Sequence, residues 1–124
     1  MGRSEQMSVH DVGDIVWVEF DPVLGSEQAR RCPALVLTGE SYHQRSPRAI
    51  VCPISSVPRT WPFDVSLPDG LKTRGAVLVD QVRTIHRNGR MFKTIERAPM
   101  NLVTAVRSNL AALVGMDADI FSDK

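Results

Sequence analysis

Arginine is the residue type in this sequence best suited to chemistry on an anion. Twelve of the fifteen basic residues are arginine, and a guanidinium can bind two phosphate oxygens at once through its planar N–H donors. Residues 30–63 carry five arginines against one acid, and residues 83–97 carry five basic residues against one acid, so each segment has a net charge of +4. If the two segments meet in space, they form an anion-binding face. The alternative is a solvated surface with scattered ion pairs.

A second set of polar residues borders the apolar stretches. Residues 25–31 read GSEQARR, and Ser55 and Ser56 follow the third apolar stretch. Glu27 is a candidate to accept a proton or to hold an arginine in place, and Gln28 is a candidate to read the edge of a base. In the alternative interpretation this loop is solvated, and its polar side chains cap their own turn.

The two tryptophans are predicted to have different environments. Trp17 belongs to a strongly apolar stretch, so we predict that it lies in the core. Trp61 lies in a loop next to proline, where it could stack on an unpaired base, as aromatic side chains do in proteins that bind single strands, or contact a protein partner. Arg83 and Arg87 border the end of the longest apolar stretch and are candidates to bind backbone phosphates.

Motifs of several other reaction classes are missing from the sequence. The three histidines are far apart and no HExxH motif occurs, so no metal site is predicted. The phosphate-binding motifs GxxxxGKS, GxxxxGKT and GxGxxG and the nucleophile motif GxSxG are also absent, so we expect no nucleotide-driven chemistry and no cofactor. Cys32 and Cys52 do not form a CxxC pair, and both are predicted to be reduced thiols.

The elements that must position these residues are predicted to be short strands followed by one helix. Asp14–Phe20 alternates in a β-rich stretch, with Ile15 and Val16 on opposite faces. Further strands are predicted at 33–38, 48–54, 63–67 and 75–85, with loops at 23–31, 42–47 and 55–62. A strand that contains Pro53 should end near it or lie at a sheet edge. Apolar residues from Leu102 to Val114 recur every three or four positions, which indicates a helix of about four turns.

This order of elements predicts a mainly β fold with a C-terminal helix, of the small SH3-like barrel type. A length of 124 residues suits one domain, which we assign to 13–124, after a flexible N-terminal arm at 1–12. No apolar run approaches the roughly 20 residues that span a bilayer, and the N-terminus has no apolar signal segment. We therefore expect a cytoplasmic protein that does not enter a membrane.

Five stretches of the chain, taken in order, resemble the MazF/PemK family of toxin endoribonucleases. They are DIVWVEFDP at 14–22, GSEQ at 25–28, PALVL at 33–37, PISS at 53–56 and GAVLVDQVRTI at 75–85. The resemblance runs from about Gly13 to Gly115. It implies a homodimeric, metal-independent mRNA interferase that cleaves single-stranded RNA at a short sequence by attack of the ribose 2′-OH on the neighbouring phosphate. It also implies a MazE-like antitoxin partner whose flexible acidic segment fills the RNA groove.

Two departures from the family pattern fall at the residues that the resemblance makes catalytic. Cys32 stands where the family carries its catalytic arginine, and Ser55 stands where threonine is usual. Ser55 keeps the hydroxyl, whereas a thiol cannot hold a phosphate between two N–H donors. We hypothesise that Arg31, or less favourably Arg30, supplies the missing guanidinium from an irregular loop. In a regular strand, Arg31 would point away from the face of Cys32.

The predicted site residues fall into two groups. The catalytic group is Arg31, Ser55 and Glu27, and the RNA-binding group is Gln28, Arg30, Ser56, Trp61, Arg83 and Arg87. Two other functions stay open. A protein-binding toxin of the gyrase-poison type, which shares the barrel, would be expected to carry a tryptophan near its C-terminus, and this chain ends IFSDK. The other is a barrel that binds RNA or the antitoxin without cutting, because of Cys32.

Overall fold

The computed structural model describes residues 10–20, 30–57 and 60–116 and, for Arg30 and Phe92, the backbone alone. The elements within these residues are, in chain order, β1 (Asp14–Phe20), β2 (Arg30–Val36), α1 (Glu40–His43), β3 (Arg48–Ser55), β4 (Val65–Ser66), β5 (Ala76–Val77), β6 (Arg83–His86), β7 (Met91–Arg97) and α2 (Met100–Leu113). A 3₁₀ turn, Val79–Gln81, separates β5 from β6. The fold is therefore mainly β with a C-terminal helix, as the sequence predicts.

The strands form one antiparallel sheet in the order β4-β5-β3-β2-β1-β7, and β6 also pairs with β3. Leu35 of β2 lies at its centre, opposite Ile15 of β1 and Cys52 of β3. Where β1 meets β7, the register shifts twice between Ile15 and Val18, and such bulges bend and twist a sheet locally. The sheet is accordingly curled into a half-barrel.

Both faces of the sheet are buried, and α2 covers one of them. The cluster beneath α2 contains Ile15, Leu35, Cys52, Ile54, Val77, Val79, Leu102 and Val106. The cluster on the other face contains Val16, Val18, Phe20, Ala34, Val36, Ala49, Val51 and Ile85. The alternation predicted for β1 is confirmed, because Ile15 and Val16 fall in different clusters. The predicted helix is also confirmed, and among the described residues no helix is long and apolar enough to cross a membrane.

The prediction of a single strand at 75–85 is wrong, because this stretch forms β5, the 3₁₀ turn and β6. Both short strands pair with β3, β5 near its end and β6 near its beginning. The break falls beside Pro53, which has no N–H to donate to a neighbouring strand. Its carbonyl oxygen still accepts a hydrogen bond from the N–H of Leu78 at 2.9 Å. The proline therefore interrupts the neighbouring strand, while β3 itself continues to Ser55.

Four other elements differ from the predicted pattern. Arg30 and Arg31 begin β2 inside the predicted loop at 23–31, of which residues 21–29 lie outside the described part of the chain. The predicted loop at 42–47 contains the end of α1, and β4 is shorter than the strand predicted there. β7 has no counterpart among the predicted strands, because polar side chains conceal its alternation.

The end of the predicted N-terminal arm is bound to α1. The carbonyl oxygen of His10 accepts a hydrogen bond from Nδ1 of His43 at 2.6 Å, and the Asp11 carboxylate accepts one from the N–H of Glu40 at 2.9 Å. Residues 10–12 therefore belong to the folded domain, whereas residues 1–9 lie outside the described part of the chain.

Candidate active site

A pocket of about 910 Å³ opens where β2 and β3 separate. The two strands pair over Ala34–Val36 and Val51–Pro53. Pro33 lacks the N–H donor that would extend this ladder from β2 to β3 beyond Ala34. If the register continued, Cys32 would stand opposite Ser55, and both of these side chains line the pocket. Cys32 and Ser55, both half-buried, thus border the same opening in the sheet.

The hydroxyl group of Ser55 has a fixed hydrogen-bond partner. Its Oγ accepts a hydrogen bond from the N–H of Val57 at 3.1 Å, a local contact that orients serine side chains at the end of a strand. The hydroxyl proton is then available to donate to a bound group. Ser56, which is exposed, lines the same pocket.

Among the described residues, three basic side chains line this pocket, and they are Lys72, Arg74 and Arg83. The Cζ atom of Arg83 lies 5.1 Å from the centroid of the Phe20 ring, a cation–π contact worth about 0.5–1 kcal/mol at an exposed site. This contact restrains the guanidinium and leaves its N–H donors available. A pocket that combines hydroxyl groups with several cations favours an anionic ligand.

Lys72 and Arg74 were not among the residues predicted from the sequence. They lie between the two basic segments at 30–63 and 83–97, of which the second contributes Arg83 to the pocket. The signal that would have identified them is the stretch KTRG at 72–75, a basic loop directly before an apolar stretch.

The prediction that Trp17 lies in the core is wrong. Trp17 is 40% exposed and lines the pocket. Ile15, two positions earlier on the same face of β1, is buried in the cluster that includes α2 residues, whereas Trp17 lies outside that cluster and opposite Pro33. An exposed indole at the edge of a cationic pocket is a candidate platform for a nucleic-acid base.

A smaller pocket of about 200 Å³ lies beside the first and shares Arg83 with it. Glu19, His86 and Arg90 also line this second pocket. Nη1 of Arg90 donates a hydrogen bond to the Glu19 carbonyl oxygen at 3.4 Å. Basic side chains therefore continue beyond the first pocket along β6.

The two cysteines have different environments, and neither forms a disulfide. Cys52 is fully buried, and burial, together with the carboxylate of Asp80, raises its pKa to about 12. Its thiol is therefore protonated and unreactive at neutral pH. Cys32 is half-buried at the pocket. The described residues hold no group of three or more His, Cys, Asp or Glu side chains that could bind a metal ion.

A comparison with protein-family models identifies the family. Residues 11–114 match the model described as "PemK-like, MazF-like toxin of type II toxin-antitoxin system". The chain belongs to this family. The matched residues include every helix and strand described above.

Curated relatives and solved structures agree with this assignment to the PemK/MazF-like toxins. The endoribonuclease toxin MazF of Escherichia coli (strain K12) is 40% identical over 77 residues, which are 62% of this chain and 68% of that protein. The endoribonuclease PemK of Escherichia coli is 34% identical over 106 residues, which are 82% of this chain and 80% of that protein. A crystal structure of MazF from Deinococcus radiodurans matches with a TM-score of 0.80 and 37% identity, covering 88% of this chain and 99% of that one. A MazE–MazF structure from the same organism matches with a TM-score of 0.80 and 36% identity, covering 89% and 99%.

In this PemK/MazF-like toxin, Arg31 does not occupy the irregular loop that its predicted role requires. It lies in the regular part of β2, opposite Glu19, and its guanidinium is 3.7 Å from the Glu19 carboxylate. Strand alternation directs it to the face opposite that of Cys32, and it is not among the described residues that line the pocket. The backbone of Arg30 also lies in β2, opposite Phe20. Within the protomer, the structure does not bring Arg31 to Ser55.

Three predicted site residues that are not arginines either do not line the pocket or lie outside the described part of the chain. Glu27 and Gln28 are not among the described residues. Trp61 is 44% exposed and packs against Phe63, with 5.9 Å between ring centroids, but it does not line the pocket. Their roles in this toxin stay predictions.

Arg87 has a structural role in addition to its predicted RNA contact. Its Nη2 donates hydrogen bonds to the carbonyl oxygens of His43 and Ser46, each at 2.7 Å. The N–H of Arg87 also donates to the carbonyl oxygen of Pro47 at 2.7 Å. These hydrogen bonds therefore connect the end of α1 and the loop after it to the end of β6.

Proposed function

We propose that this toxin is a metal-independent endoribonuclease that cleaves single-stranded mRNA at a short sequence in the cytoplasm. The observation that carries the proposal is that the hydroxyl of Ser55 and the guanidinium of Arg83 line one open pocket. Relatives named endoribonuclease, in the same family, support the reaction class.

The reaction that fits this pocket is attack of a ribose 2′-oxygen on the adjacent phosphorus. The new P–O2′ bond forms as the P–O5′ bond breaks, and the products are a 2′,3′-cyclic phosphate and a free 5′-OH. This reaction needs a base for the 2′ proton, a cation for the charge that builds up on phosphorus, and a proton donor for the leaving oxygen.

The roles of the catalytic residues follow from what each group can donate or accept. Ser55 donates a hydrogen bond to a phosphate oxygen, since its Oγ already accepts one from Val57. Arg83 stabilises the developing charge, because a guanidinium stays protonated and binds two oxygens at once. Glu27 is proposed as the base. Arg31 is a second candidate for this cation, on the condition that dimer formation places it at the site.

Contacts to the rest of the RNA are assigned by residue type and exposure. Trp17 and Trp61, both exposed, are proposed to stack on unpaired bases. The remaining proposed RNA-binding residues are Gln28, Arg30, Ser56 and Arg87. The second pocket, with Arg90 and His86, extends the basic surface along the direction of β6.

A MazE-like antitoxin and a second copy of this chain are the proposed protein partners. Two MazE–MazF structures from Deinococcus radiodurans match this chain, which supports an antitoxin for this toxin. An acidic, flexible antitoxin segment would complement the cations Lys72, Arg74 and Arg83 at the pocket. Homodimer formation is inferred from the family.

A barrel that binds RNA without cutting it is the alternative function, and Cys32 is the observation that favours it. The test incubates the purified protein with a long single-stranded RNA in EDTA and sequences the ends of the products. Cleavage at a recurring sequence with 5′-OH ends is expected for the wild type and not for Ser55→Ala. Binding of intact RNA would instead support the non-cleaving barrel.

A further inference from the structure

The loop at 71–75 is held from one side by a single carboxylate. Oε1 of Glu96 accepts a hydrogen bond from the N–H of Lys72 at 2.9 Å. Oε2 of Glu96 accepts one from the N–H of Thr73 at 2.8 Å and another from the Thr73 hydroxyl at 2.7 Å. Thr73 is 8% exposed. Glu96, on β7, thus ties together two consecutive residues of a loop 23 positions away in sequence.

The same loop contacts the strand that carries Ser55 from its other side. Gly75 has φ +119°, and a Cβ atom there would overlap the Ser55 carbonyl oxygen and lie 2.7 Å from the Ser55 carbonyl carbon. Such a Cβ would also lie 2.9 Å from the Cα atom of Ser56. The carbonyl oxygen of Gly75 accepts a hydrogen bond from the N–H of Leu67 at 2.9 Å. The distance between the loop and Ser55 is therefore set by backbone contact.

These two attachments determine where the side chains of the loop lie. Residues 72–74 all line the pocket together with Ser55, but Thr73 is buried and bonded to Glu96, whereas its neighbours Lys72 and Arg74 are exposed. Arg74 directly precedes Gly75, the residue in contact with the Ser55 backbone. Because the loop backbone is already fixed, less conformational freedom is lost when Arg74 binds a ligand.

Arg74 fits a phosphate better than Lys72 does. A guanidinium offers a planar pair of N–H donors to two phosphate oxygens, whereas an ammonium is a single point of charge. The ammonium of Lys72 also interacts with the carboxylate of Glu96. Burial raises the pKa of Glu96, but the hydrogen bonds from Lys72 and Thr73 outweigh this effect and hold the pKa below its ordinary value. Glu96 therefore stays ionised and keeps the loop in place at neutral pH.

We propose that Arg74 binds the scissile phosphate beside Ser55 and supplies the guanidinium that Cys32 does not. Arg74 is then a catalytic residue, and Glu96 and Thr73 are positioning residues that act through it. The inference rests on the proposed RNA cleavage. It adds to Arg83 a second phosphate-binding guanidinium, which comes from a loop outside the two basic segments of the sequence.

The first test compares Arg74→Gln with Arg107→Gln, an exposed arginine on α2 that does not line the pocket. We expect Arg74→Gln to lower kcat by roughly a hundredfold, as loss of a transition-state donor does, and Arg107→Gln to leave kcat unchanged. On an RNA with a 2′-deoxy residue at the cleavage site, Arg74→Gln should reduce the slope of log Kd against log salt by about 0.7, the loss of one phosphate contact. An unchanged kcat and slope in a folded Arg74→Gln variant would overturn the proposal.

The second test concerns the positioning residues. Thr73→Val removes the hydroxyl that donates to Glu96, whereas Thr73→Ser keeps it. We expect Thr73→Val to lower kcat roughly tenfold with a smaller change in KM, since a small displacement of a catalytic group is costly, and Thr73→Ser to retain wild-type kcat. Equal kcat for the two variants would overturn the positioning role. Wild-type protein that leaves RNA intact contradicts the proposed function itself, whereas wild-type cleavage that survives Arg74→Gln contradicts this inference alone.

Discussion

Gly75 and Ser55 are in backbone contact, with no space for a side chain between them. A Cβ atom on Gly75 would lie 2.7 Å from the carbonyl carbon of Ser55, closer than such atoms approach in folded proteins. The φ of Gly75, +119°, is also one that other residues rarely adopt. This contact joins the basic loop at 71–75 to the strand that carries the candidate catalytic hydroxyl.

Gly75→Ala is expected to separate the loop from Ser55 and to lower both stability and cleavage. Backbone strain of this kind costs on the order of 1–3 kcal/mol, and the overlap with Ser55 adds to it. Gly70→Ala is the matched control, because Gly70 also has a positive φ, +101°, but no atom lies within 4 Å of a Cβ placed there. Urea denaturation and kcat measured on both variants check the prediction. Equal loss of stability in the two variants would mean that the contact with Ser55 contributes nothing.

Cys32→Arg is expected to raise kcat. Cys32 lines the same pocket as Ser55 and Arg74, so an arginine there would add a charge-assisted hydrogen bond to the phosphate. A bond of this type is worth about 1.5–3 kcal/mol, which corresponds to a gain of roughly ten- to a hundredfold if it forms in the transition state. Cys32→Ser, which adds no charge, is the control.

The same substitution tests whether Arg74 compensates for Cys32. If it does, Cys32→Arg should restore much of the kcat that Arg74→Gln removes. The two effects would then be non-additive in a double-mutant cycle, as expected for groups that bind one phosphate. Strictly additive changes in kcat would indicate that the two positions act on different parts of the RNA.

Arg83→Gln is expected to reduce cleavage more than Arg31→Gln does. Arg83 lines the pocket and contacts the ring of Phe20, whereas Arg31 lies 3.7 Å from the Glu19 carboxylate and is not among the described residues that line the pocket. Initial cleavage rates at subsaturating RNA, which report kcat/KM, distinguish the two variants. A larger loss in Arg31→Gln would support the hypothesis that the arginines before Cys32 supply the charge, with the dimer bringing Arg31 to the site.

The contribution of Glu96 to stability is expected to disappear in acid. Hydrogen bonds from Lys72 and Thr73 lower the folded-state pKa of Glu96 below its ordinary value of 4.5 despite the effect of burial. A carboxyl group with a lowered folded-state pKa stabilises the protein above its unfolded-state pKa, and this stabilisation is lost as the pH falls through the folded-state value.

Wild-type protein should therefore be more stable than Glu96→Gln at pH 7, and the difference in free energy of unfolding should shrink below about pH 4.5. Glu40→Gln, which removes an exposed carboxylate from α1, is the control for surface charge. Urea denaturation of the three proteins between pH 3 and pH 7 measures the effect. A difference between wild type and Glu96→Gln that is independent of pH would show that the hydrogen bonds of Glu96 do not depend on its charge.

Local patterns in the sequence predict the centre of this fold and fail where distant residues decide the structure. The alternation of β1 correctly assigns Ile15 and Val16 to opposite faces, because that pattern depends only on strand geometry. Pro53, by contrast, breaks a strand that lies more than twenty residues later in the chain. Trp17 is exposed because α2 packs over Ile15 but does not reach Trp17, which lies two positions further along β1. Neither effect is visible in a window of ten residues.

The residues of the candidate site also divide into those that a local pattern predicts and those that depend on distant contacts. Ser55 and Arg83 were predicted from a motif and a basic segment, and both line the pocket. Only the short basic stretch at 72–75 marks Arg74 in the sequence, and its relevance depends on Glu96 and on the contact between Gly75 and Ser55. Its position next to Cys32 in the chain favours Arg31, but adjacent residues in a strand point to opposite faces. Proximity in sequence is thus a poor guide to which arginine can reach Ser55.

The most direct test of the account is the chemical identity of RNA fragments produced in EDTA. Mass spectrometry of a short RNA that contains the cleavage sequence should detect a 2′,3′-cyclic phosphate and a 5′-OH with wild-type protein. These products should be absent with Ser55→Ala, and also when the nucleotide before the cut carries no 2′-OH. Cleavage of the 2′-deoxy substrate, or undiminished cleavage by folded Ser55→Ala, would contradict the account.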